Sequence, residues 1–237
     1  LTNLPMTGAY EVLVDPYQTN TGQVNLQLLG DAPGSLGVDG GVLPVSLSPG
    51  QNGSYSFDGV VGQDLGLGIG NLVTSPTGGY VTVTVYAPGN TTTAYYNCSY
   101  FYAPGGECDL VNLPSTGSYT VRVDTTGSYA ATLDLSLSQD VTGSLEANGA
   151  AVTFATSRVG QNGRYVFNAT AGQNLSLLWS GATFAGYYNR IQVLKPDGSV
   201  LASNNIGTYS AAYISGIRDL TNLPMTGAYE VLVDPYQ

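Results

Sequence analysis

Apolar and polar residues alternate along most of this chain, which is the pattern of β-strands with one buried and one exposed face. Glycine and proline, at 32 and 12 residues, interrupt this alternation at intervals of about 8 to 12 positions, as in all-β sandwiches. No segment has a sustained helical period. The pattern predicts an all-β fold of tandem antiparallel β-sandwich domains, with about seven or eight strands per domain in two packed sheets. The clearest alternating segments are Val42–Leu47, Leu65–Ile69, Tyr80–Tyr86, Leu133–Leu137 and Leu175–Leu178.

An internal repeat of about 110 residues runs through the chain. The motif N-L-P-x-T-G-x-Y-x-V-x-V-D occupies residues 3–15 and returns at residues 112–124. A second motif, G-Q-N-G-x-Y-x-F, occupies residues 50–57 and 160–167. The first 18 residues also recur unchanged at residues 220–237. Such regular self-similarity is typical of tandem arrays of one structural unit.

The repeat predicts three segments with different degrees of completeness. Residues 1–31 are expected to form the last strands of a preceding repeat, and residues 32–140 a complete sandwich of about 110 residues. Residues 141–237 are expected to form a sandwich that lacks its final strand. The duplicated ends favour a chain that is one period, plus an overlap, of a longer covalent array.

The final strand missing from residues 141–237 is of the type found at residues 19–30, in which Val24, Leu26 and Leu28 alternate with polar residues. A sandwich without this strand has an open sheet edge that invites pairing with another chain. The alternative to a covalent array is therefore a non-covalent polymer, in which residues 19–30 of one subunit complete residues 141–237 of the next by donor-strand complementation. The 18-residue duplication would be redundant at every joint of that polymer. In either case the predicted partner is the chain itself.

These motifs, together with G-Q-x-L-x-L at residues 62–67 and 172–177, resemble the tandem β-sandwich repeats of large secreted bacterial proteins. Those repeats are similar to the pre-peptidase C-terminal domains that follow many secreted proteases. The resemblance implies a jelly-roll-like sandwich, an extracellular or cell-surface location, and a non-catalytic role in spacing, adhesion or assembly. The first unit departs from the pattern because it contains an insertion around Cys98 and Cys108.

Composition excludes several classes of partner. Only 9% of the residues are charged, against about 25% in average proteins. The 6 Lys and Arg face 16 Asp and Glu, for a net charge of −10, which argues against nucleic acid and against an anionic membrane surface. No apolar run reaches the roughly 20 residues of a membrane span. Since no signal peptide begins the chain, we expect the export signal elsewhere in a longer protein.

Catalytic chemistry is not predicted, and neither is a cofactor or a metal site. The chain has no histidine, so that Ser-His-Asp and Cys-His constellations are excluded. Scattered aspartates offer oxygen ligands for Ca²⁺, but such residues more often accept hydrogen bonds from turn amides. The aspartates considered for calcium are Asp64, Asp109, Asp124, Asp134 and Asp140.

Cys98 and Cys108 flank an Ala-Pro-Gly-Gly turn, which predicts a disulfide across a folded loop; two free buried thiols are the alternative. A dense aromatic stretch surrounds the first of them. Its rings suit core packing, an interface between neighbouring copies, or stacking on glycans. The residues considered for interface or glycan contact are Tyr95, Tyr96, Tyr100, Phe101 and Tyr102. Asn90 and Asn97 lie in N-x-S/T sequons and are candidates for glycosylation.

Three functions follow from these features. A structural unit of an extracellular fibre, stalk or adhesin-like filament is favoured, because the chain repeats itself and has no catalytic constellation. A glycan- or surface-binding module that uses the aromatic loop at residues 95–102 is the first alternative. An accessory domain of a secreted enzyme is the second.

Overall fold

The computed structural model describes Leu4 and residues 6–235. Residues 1–3 and 5, which belong to the predicted 1–31 segment, and residues 236–237, at the end of the predicted 141–237 unit, lie outside the described residues. Two β-sandwiches follow one another along the chain. We call them the first sandwich (residues 32–139) and the second sandwich (residues 141–234).

The first sandwich has nine strands, at least one more than the sequence predicted, in two sheets. One sheet has the order β1-β3-β8-β5-β6, and the other has the order β2-β9-β4-β7. Inward residues alternate with outward residues along each strand, as the sequence pattern requires. The strands are β1 (Ala32–Ser35), β2 (Leu43–Leu47), β3 (Gly53–Gly59), β4 (Leu65–Ser75), β5 (Val81–Tyr86), β6 (Tyr96–Phe101), β7 (Gly106–Leu110), β8 (Gly117–Thr125) and β9 (Ala130–Gln139).

The second sandwich repeats one of these sheets in full and the other in part. Its large sheet has the order β10-β11-β16-β13-β14, but its second sheet consists of β12 and β15 alone. Within the described residues, no strand of the second sandwich corresponds to β2 or to β9. The strands are β10 (Val141–Ser144), β11 (Gly163–Ala169), β12 (Leu175–Trp179), β13 (Arg190–Leu194), β14 (Val200–Asn205), β15 (Gly216–Leu220) and β16 (Gly227–Asp234).

One pair of strands in each sandwich is parallel, unlike the antiparallel pairing predicted from sequence. β1 pairs with β3, and β10 pairs with β11, in parallel. The reason is topological in the first sandwich: the chain leaves β1, crosses to the other sheet as β2, and returns as β3, and such a crossover brings the strand back in the same direction. All other strand pairs among the described residues are antiparallel.

A tyrosine explains the repeated L-P-x-T-G-x-Y motif. The hydroxyl of Tyr119 donates to the carbonyl oxygen of Ser115 at 2.7 Å, and that of Tyr229 donates to Met225 at 2.8 Å. Both rings are fully buried and fix the turn before a central strand. Tyr10 makes the same bond within the N-terminal copy of the motif, although residues 6–31 form no strand.

The single described helix, α1 (Ala211–Ile214), has four residues. It is far too short to cross a bilayer, and no described helix could serve as a membrane span.

Candidate functional site

The two sandwiches meet at a junction with a linker of one residue. β9, the last strand of the first sandwich, ends at Gln139, and β10 begins at Val141. The intervening Asp140 accepts a hydrogen bond at 2.6 Å from Nε of Arg164, whose Nη1 donates at 2.6 Å to Glu230. Because the arginine side chain is only 14% exposed, these ion pairs are shielded from water and hold the linker against the second sandwich.

A loop of the second sandwich, residues 158–162, packs on the outer face of β4. Two glycines make this approach possible: a Cβ at Gly66 would overlap the carbonyl oxygen of Gly160, and one at Gly68 would overlap that of Val159. Arg158 reaches back to the first sandwich, where its guanidinium donates to the carbonyl oxygens of Asp39 and Gly40. The glycines of β4 thus shape a surface that receives the next sandwich.

Three carboxylates converge at this junction. Glu107 and Asp109 project from the outer face of β7, and Asp234 lies at the end of β16. One oxygen from each of the three lies within 4.8 Å of those of the other two. Asn162, in the loop described above, donates to Asp109 at 2.5 Å. Residues from both sandwiches therefore build the cluster, which we call the junction carboxylates.

Burial and mutual repulsion make these groups hard to ionise. Burial, followed by the charge of Asp109, raises the pKa of Glu107 to about 9. Burial and the same aspartate raise the pKa of Asp234 to about 6. The pKa of Asp109 is also raised, mainly by burial. One oxygen of Glu107 and one of Asp234 are buried without a hydrogen-bond partner, so no hydrogen bond at these two oxygens favours their ionised forms.

The junction carboxylates border a cavity of about 610 Å³. Its lining includes the aromatic stretch of the sequence, although that stretch divides between core and surface. Tyr95 is half-buried and donates to the carbonyl oxygen of Val111 at 2.8 Å, and Phe101 is buried in the core. The exposed rings are Tyr96, Tyr100 and Tyr102, at 40%, 64% and 56%. The aromatic residues of the lining are Tyr96, Tyr100, Phe101, Tyr102 and Tyr188.

A disulfide joins Cys98 and Cys108, whose Cα atoms are 5.5 Å apart. It links β6 in one sheet of the first sandwich to β7 in the other. On the chain-entropy argument, a closed loop of this length stabilises the fold by about 2 to 3 kcal/mol. Since Cys108 stands between Glu107 and Asp109, the disulfide also fixes the strand that carries two of the junction carboxylates.

The other aspartates considered for calcium have partners outside the junction carboxylates. Asp64 accepts from the backbone amide of Asn112 at 2.7 Å, and Asp124 pairs with Arg122 at 2.7 Å. Asp134 accepts from Asn71 at 2.7 Å, and Asp140 pairs with Arg164. Only Asp109 of that group joins a carboxylate cluster among the described residues.

The two candidate glycosylation residues lie on or near the surface. Asn90 accepts hydrogen bonds from the backbone amides of Thr92 and Thr93, at 3.0 and 2.9 Å. Asn97 is exposed, and its side-chain oxygen accepts from Thr84 at 3.2 Å. Both side chains therefore have local structural partners, and their glycosylation stays a prediction.

The small sheet of the second sandwich is open, and its inner face is incompletely covered. Leu65, Leu67 and Ile69 of β4, which pairs with β9 in the same sheet, are no more than 2% exposed. The corresponding residues of β12 are Leu175, Leu177 and Trp179, and all three are only half-buried. The difference in burial follows from the missing counterpart of β9, because β9 contributes three leucines to the first core.

A segment with the apolar pattern of β9 lies exposed at the other end of the chain. Val24, Leu26 and Leu28 are 60%, 65% and 83% exposed. The repeat aligns these residues with the buried Leu133, Leu135 and Leu137 of β9. The chain does not bring this segment to its own open sheet, since residues 19–30 form no strand.

The C-terminal end of the segment nevertheless makes the same hydrogen bonds to the first sandwich that the C-terminal end of β9 makes to the second. Gln51 donates to the carbonyl oxygen of Gly30 at 3.0 Å, and its counterpart Gln161 donates to that of Gln139 at 3.3 Å. The backbone amide of Ala32 donates to Asn52 at 2.8 Å, as that of Val141 donates to Asn162 at 2.8 Å. The entry into each sandwich thus uses the same contacts.

Glu107 and Asp234 were not recognised from the sequence. Glu107 and Asp109 flank Cys108 in a strand, which places both carboxylates on the face opposite the buried cysteine. This spacing was the available signal on the first sandwich. Asp234 is more than 120 residues further along the chain, and no local pattern indicates its position beside them.

The chain matches no family model and no curated protein. Solved structures that are similar to part of it include the following two. A pre-peptidase C-terminal domain of a collagenase from Bacillus anthracis is 14% identical, with a TM-score of 0.37, over 45% of this chain and 95% of that one. PliG from Aeromonas hydrophila, a periplasmic inhibitor of g-type lysozyme, is 20% identical, with a TM-score of 0.32, over 45% of this chain and 98% of that one.

Proposed function

We propose that this protein is a structural component of an extracellular fibre. In the fibre, the open sheet of each second sandwich is completed by residues 19–30, the donor segment, of the next repeat or subunit. The observation that carries the proposal is the complementarity of the two ends. A two-stranded sheet leaves Leu175, Leu177 and Trp179 half-buried, while a segment with the β9 pattern is exposed elsewhere on the same chain.

The first sandwich supplies a template for the register of this pairing. In it, Leu137 of β9 lies opposite Leu67, and Leu135 lies opposite Ile69. Transferred through the repeat, the same register places Leu28 opposite Leu177 and Leu26 opposite Trp179. Burial of each apolar side chain stabilises by about 1.5 to 3 kcal/mol, and backbone hydrogen bonds along β12 add to the pairing.

The junction within the chain supports the proposed junction between copies. After β9 completes the first sandwich, the chain enters the second through Asp140 and the contacts of Gln161. After the donor segment, the chain enters its own first sandwich through the matching contact of Gln51. A donor segment seated on a neighbour would therefore bring the following sandwich to the small sheet. Ser176 and Leu178 stand where β4 has Gly66 and Gly68, so the two sandwiches would lie further apart than the two within the chain.

An exposed apolar patch lies where the next sandwich would rest. Leu178 of β12 and Ile217 of β15 are paired neighbours on the outer face of the small sheet, and they are 70% and 58% exposed. The corresponding face of the first sandwich is covered by residues 158–162. Contiguous apolar surface of this kind favours association with another protein surface.

An extracellular, non-enzymatic role is consistent with the chemistry of the chain. Its two cysteines form a disulfide, and disulfides persist in oxidising compartments. The low charge content leaves a surface of hydroxyl, amide and tyrosine groups. The proposed role is mechanical: β-sandwiches joined by paired strands transmit tension along the fibre.

We expect the purified 237-residue chain to polymerise as its concentration is raised, because each copy carries one open sheet and one donor segment. Sedimentation velocity and electron microscopy should show end-to-end polymers with two sandwiches per repeat. A chain that stays monomeric at all concentrations would contradict the proposal. The mass of the intact native protein separates its two forms: many times 24.6 kDa indicates a covalent array, and a mass near that value indicates subunits.

Glycan binding is a second candidate function, favoured by the exposed rings of Tyr96, Tyr100 and Tyr102 beside the cavity. Aromatic faces with hydroxyl tips suit stacking against sugars. A glycan array would support this function if a specific signal were lost in Tyr100→Ala while polymerisation was unchanged. A uniform absence of glycan signals would rule against it.

A further inference from the structure

Glu107 is buried, and Asp109 and Asp234 are partly buried, in a cluster where isolated charges would be costly. Glu107 is only 8% exposed, and its Oε2 atom has no hydrogen-bond partner. Oδ1 of Asp234 is also buried without a partner. Buried polar atoms nearly always have a partner, so these two unpaired oxygens in one cluster need a partner that the described protein groups do not supply.

We propose that Glu107, Asp109 and Asp234 bind a calcium ion, which ties β7 of the first sandwich to β16 of the second. The site goes beyond the proposed fibre and does not depend on it, because all three ligands belong to one chain. From the sequence, only Asp109 of these three residues was considered for calcium, as one of five scattered aspartates.

The geometry of the cluster fits a cation. One oxygen from each carboxylate lies within 4.8 Å of the others, and two oxygens that bind the same Ca²⁺ at 2.3 to 2.6 Å are at most about 5 Å apart. Asn162 donates to one oxygen of Asp109, which holds that carboxylate in place. The disulfide at Cys108 fixes β7, the strand that carries both Glu107 and Asp109.

Charge balance favours a divalent ion. When a metal ion displaces their protons, the three carboxylates carry three negative charges, and Arg190, which lines the same cavity and acts electrostatically on Asp234, supplies one positive charge. Arg164 is already engaged with Asp64, Asp140 and Glu230. Two negative charges thus remain at the site, and one divalent ion neutralises them.

The donor atoms favour calcium among divalent ions. The chain has no histidine, and the cysteines are joined in a disulfide, so the nitrogen and thiolate ligands preferred by zinc and copper are not available. Calcium accepts six to eight oxygens in irregular geometry. The carboxylates supply part of this number, and water from the open cavity supplies the rest.

Isothermal titration of the chelator-treated full chain with CaCl₂ tests the site. We expect one saturable site per chain, and we expect Glu107→Gln to weaken binding by more than about tenfold, since affinity follows the number of charged ligands. Asp234→Asn should act in the same way and tests the second sandwich's contribution. Circular dichroism establishes that each variant is folded before its titration is interpreted.

Glu146→Gln is the matched control, because Glu146 is exposed and lies outside the cavity lining. This variant should bind calcium like the unmodified chain. Calcium should also raise the thermal unfolding midpoint of the unmodified chain and of Glu146→Gln, but not that of Glu107→Gln. The proposal is overturned if the unmodified chain has no saturable site, or if Glu107→Gln and Asp234→Asn both bind calcium with unchanged affinity.

Discussion

Replacing Leu26 with aspartate is expected to abolish polymerisation of the full chain. In the proposed register, Leu26 packs against Trp179, so the substitution loses the burial of a leucine, about 1.5 to 3 kcal/mol, and buries a carboxylate without a partner. A combined loss of roughly 3 to 5 kcal/mol raises the concentration needed for assembly by at least about 100-fold. Sedimentation velocity measures this change directly.

The neighbouring position provides the matched control. Gln27 alternates with Leu26 and faces the opposite side of the donor segment. Gln27→Asp introduces the same charge one residue away and should polymerise almost normally. The single tryptophan of the chain, Trp179, provides a second readout, because strand addition should change its fluorescence. Equal loss of assembly in both variants would contradict the proposed register.

Replacing Leu135 with alanine should lower the free energy of unfolding of the first sandwich by about 2 to 5 kcal/mol. Leu135 is 0% exposed and lies between the two sheets. The aligned Leu26 is 65% exposed, so that Leu26→Ala should change the stability of the monomer by less than about 0.5 kcal/mol. The same substitution at two equivalent repeat positions is thus expected to destabilise the fold strongly at Leu135 and hardly at all at Leu26.

Guanidinium denaturation below the assembly concentration measures this difference. Circular dichroism follows both sandwiches, whereas Trp179 fluorescence follows the second alone, since that residue lies in β12. Leu135→Ala should shift the transition that circular dichroism detects more than the one that fluorescence detects. A loss of stability as large in Leu26→Ala as in Leu135→Ala would mean that the donor segment is already packed in the monomer.

The local pattern of the sequence predicted the sandwich architecture, but not every strand pair. Alternation is a property of each strand alone, which is why β5 and β9 were recognised. The parallel pairing of β1 with β3 depends on a crossover between sheets and leaves no local pattern. Similarly, a bulge between Val83 and Thr84 shifts the register of β6 against β5, and no local pattern indicates its position.

Less of the candidate calcium site than of the fold could be predicted from the sequence. Of its ligands, only Asp109 was considered for calcium, and it was grouped with aspartates that have other partners. The cluster exists because Gly66 and Gly68 admit the loop at residues 158–162, which brings β16 beside β7. In the sequence, these glycines only suggest a close approach of some backbone, without identifying which one.

Disulfide trapping between the donor segment and β12 tests most directly whether the donor segment completes the small sheet of another copy. Ser138 of β9 lies opposite Gly66, and the repeat transfers this pair to Leu29 and Ser176. A chain with Leu29→Cys and Ser176→Cys should form a ladder of covalent oligomers under oxidising conditions. No ladder is expected for Asn25→Cys with Ser176→Cys, since that pair is about four residues, or roughly 13 Å, out of register. The absence of a ladder from the in-register pair, or equal ladders from both pairs, would contradict this pairing.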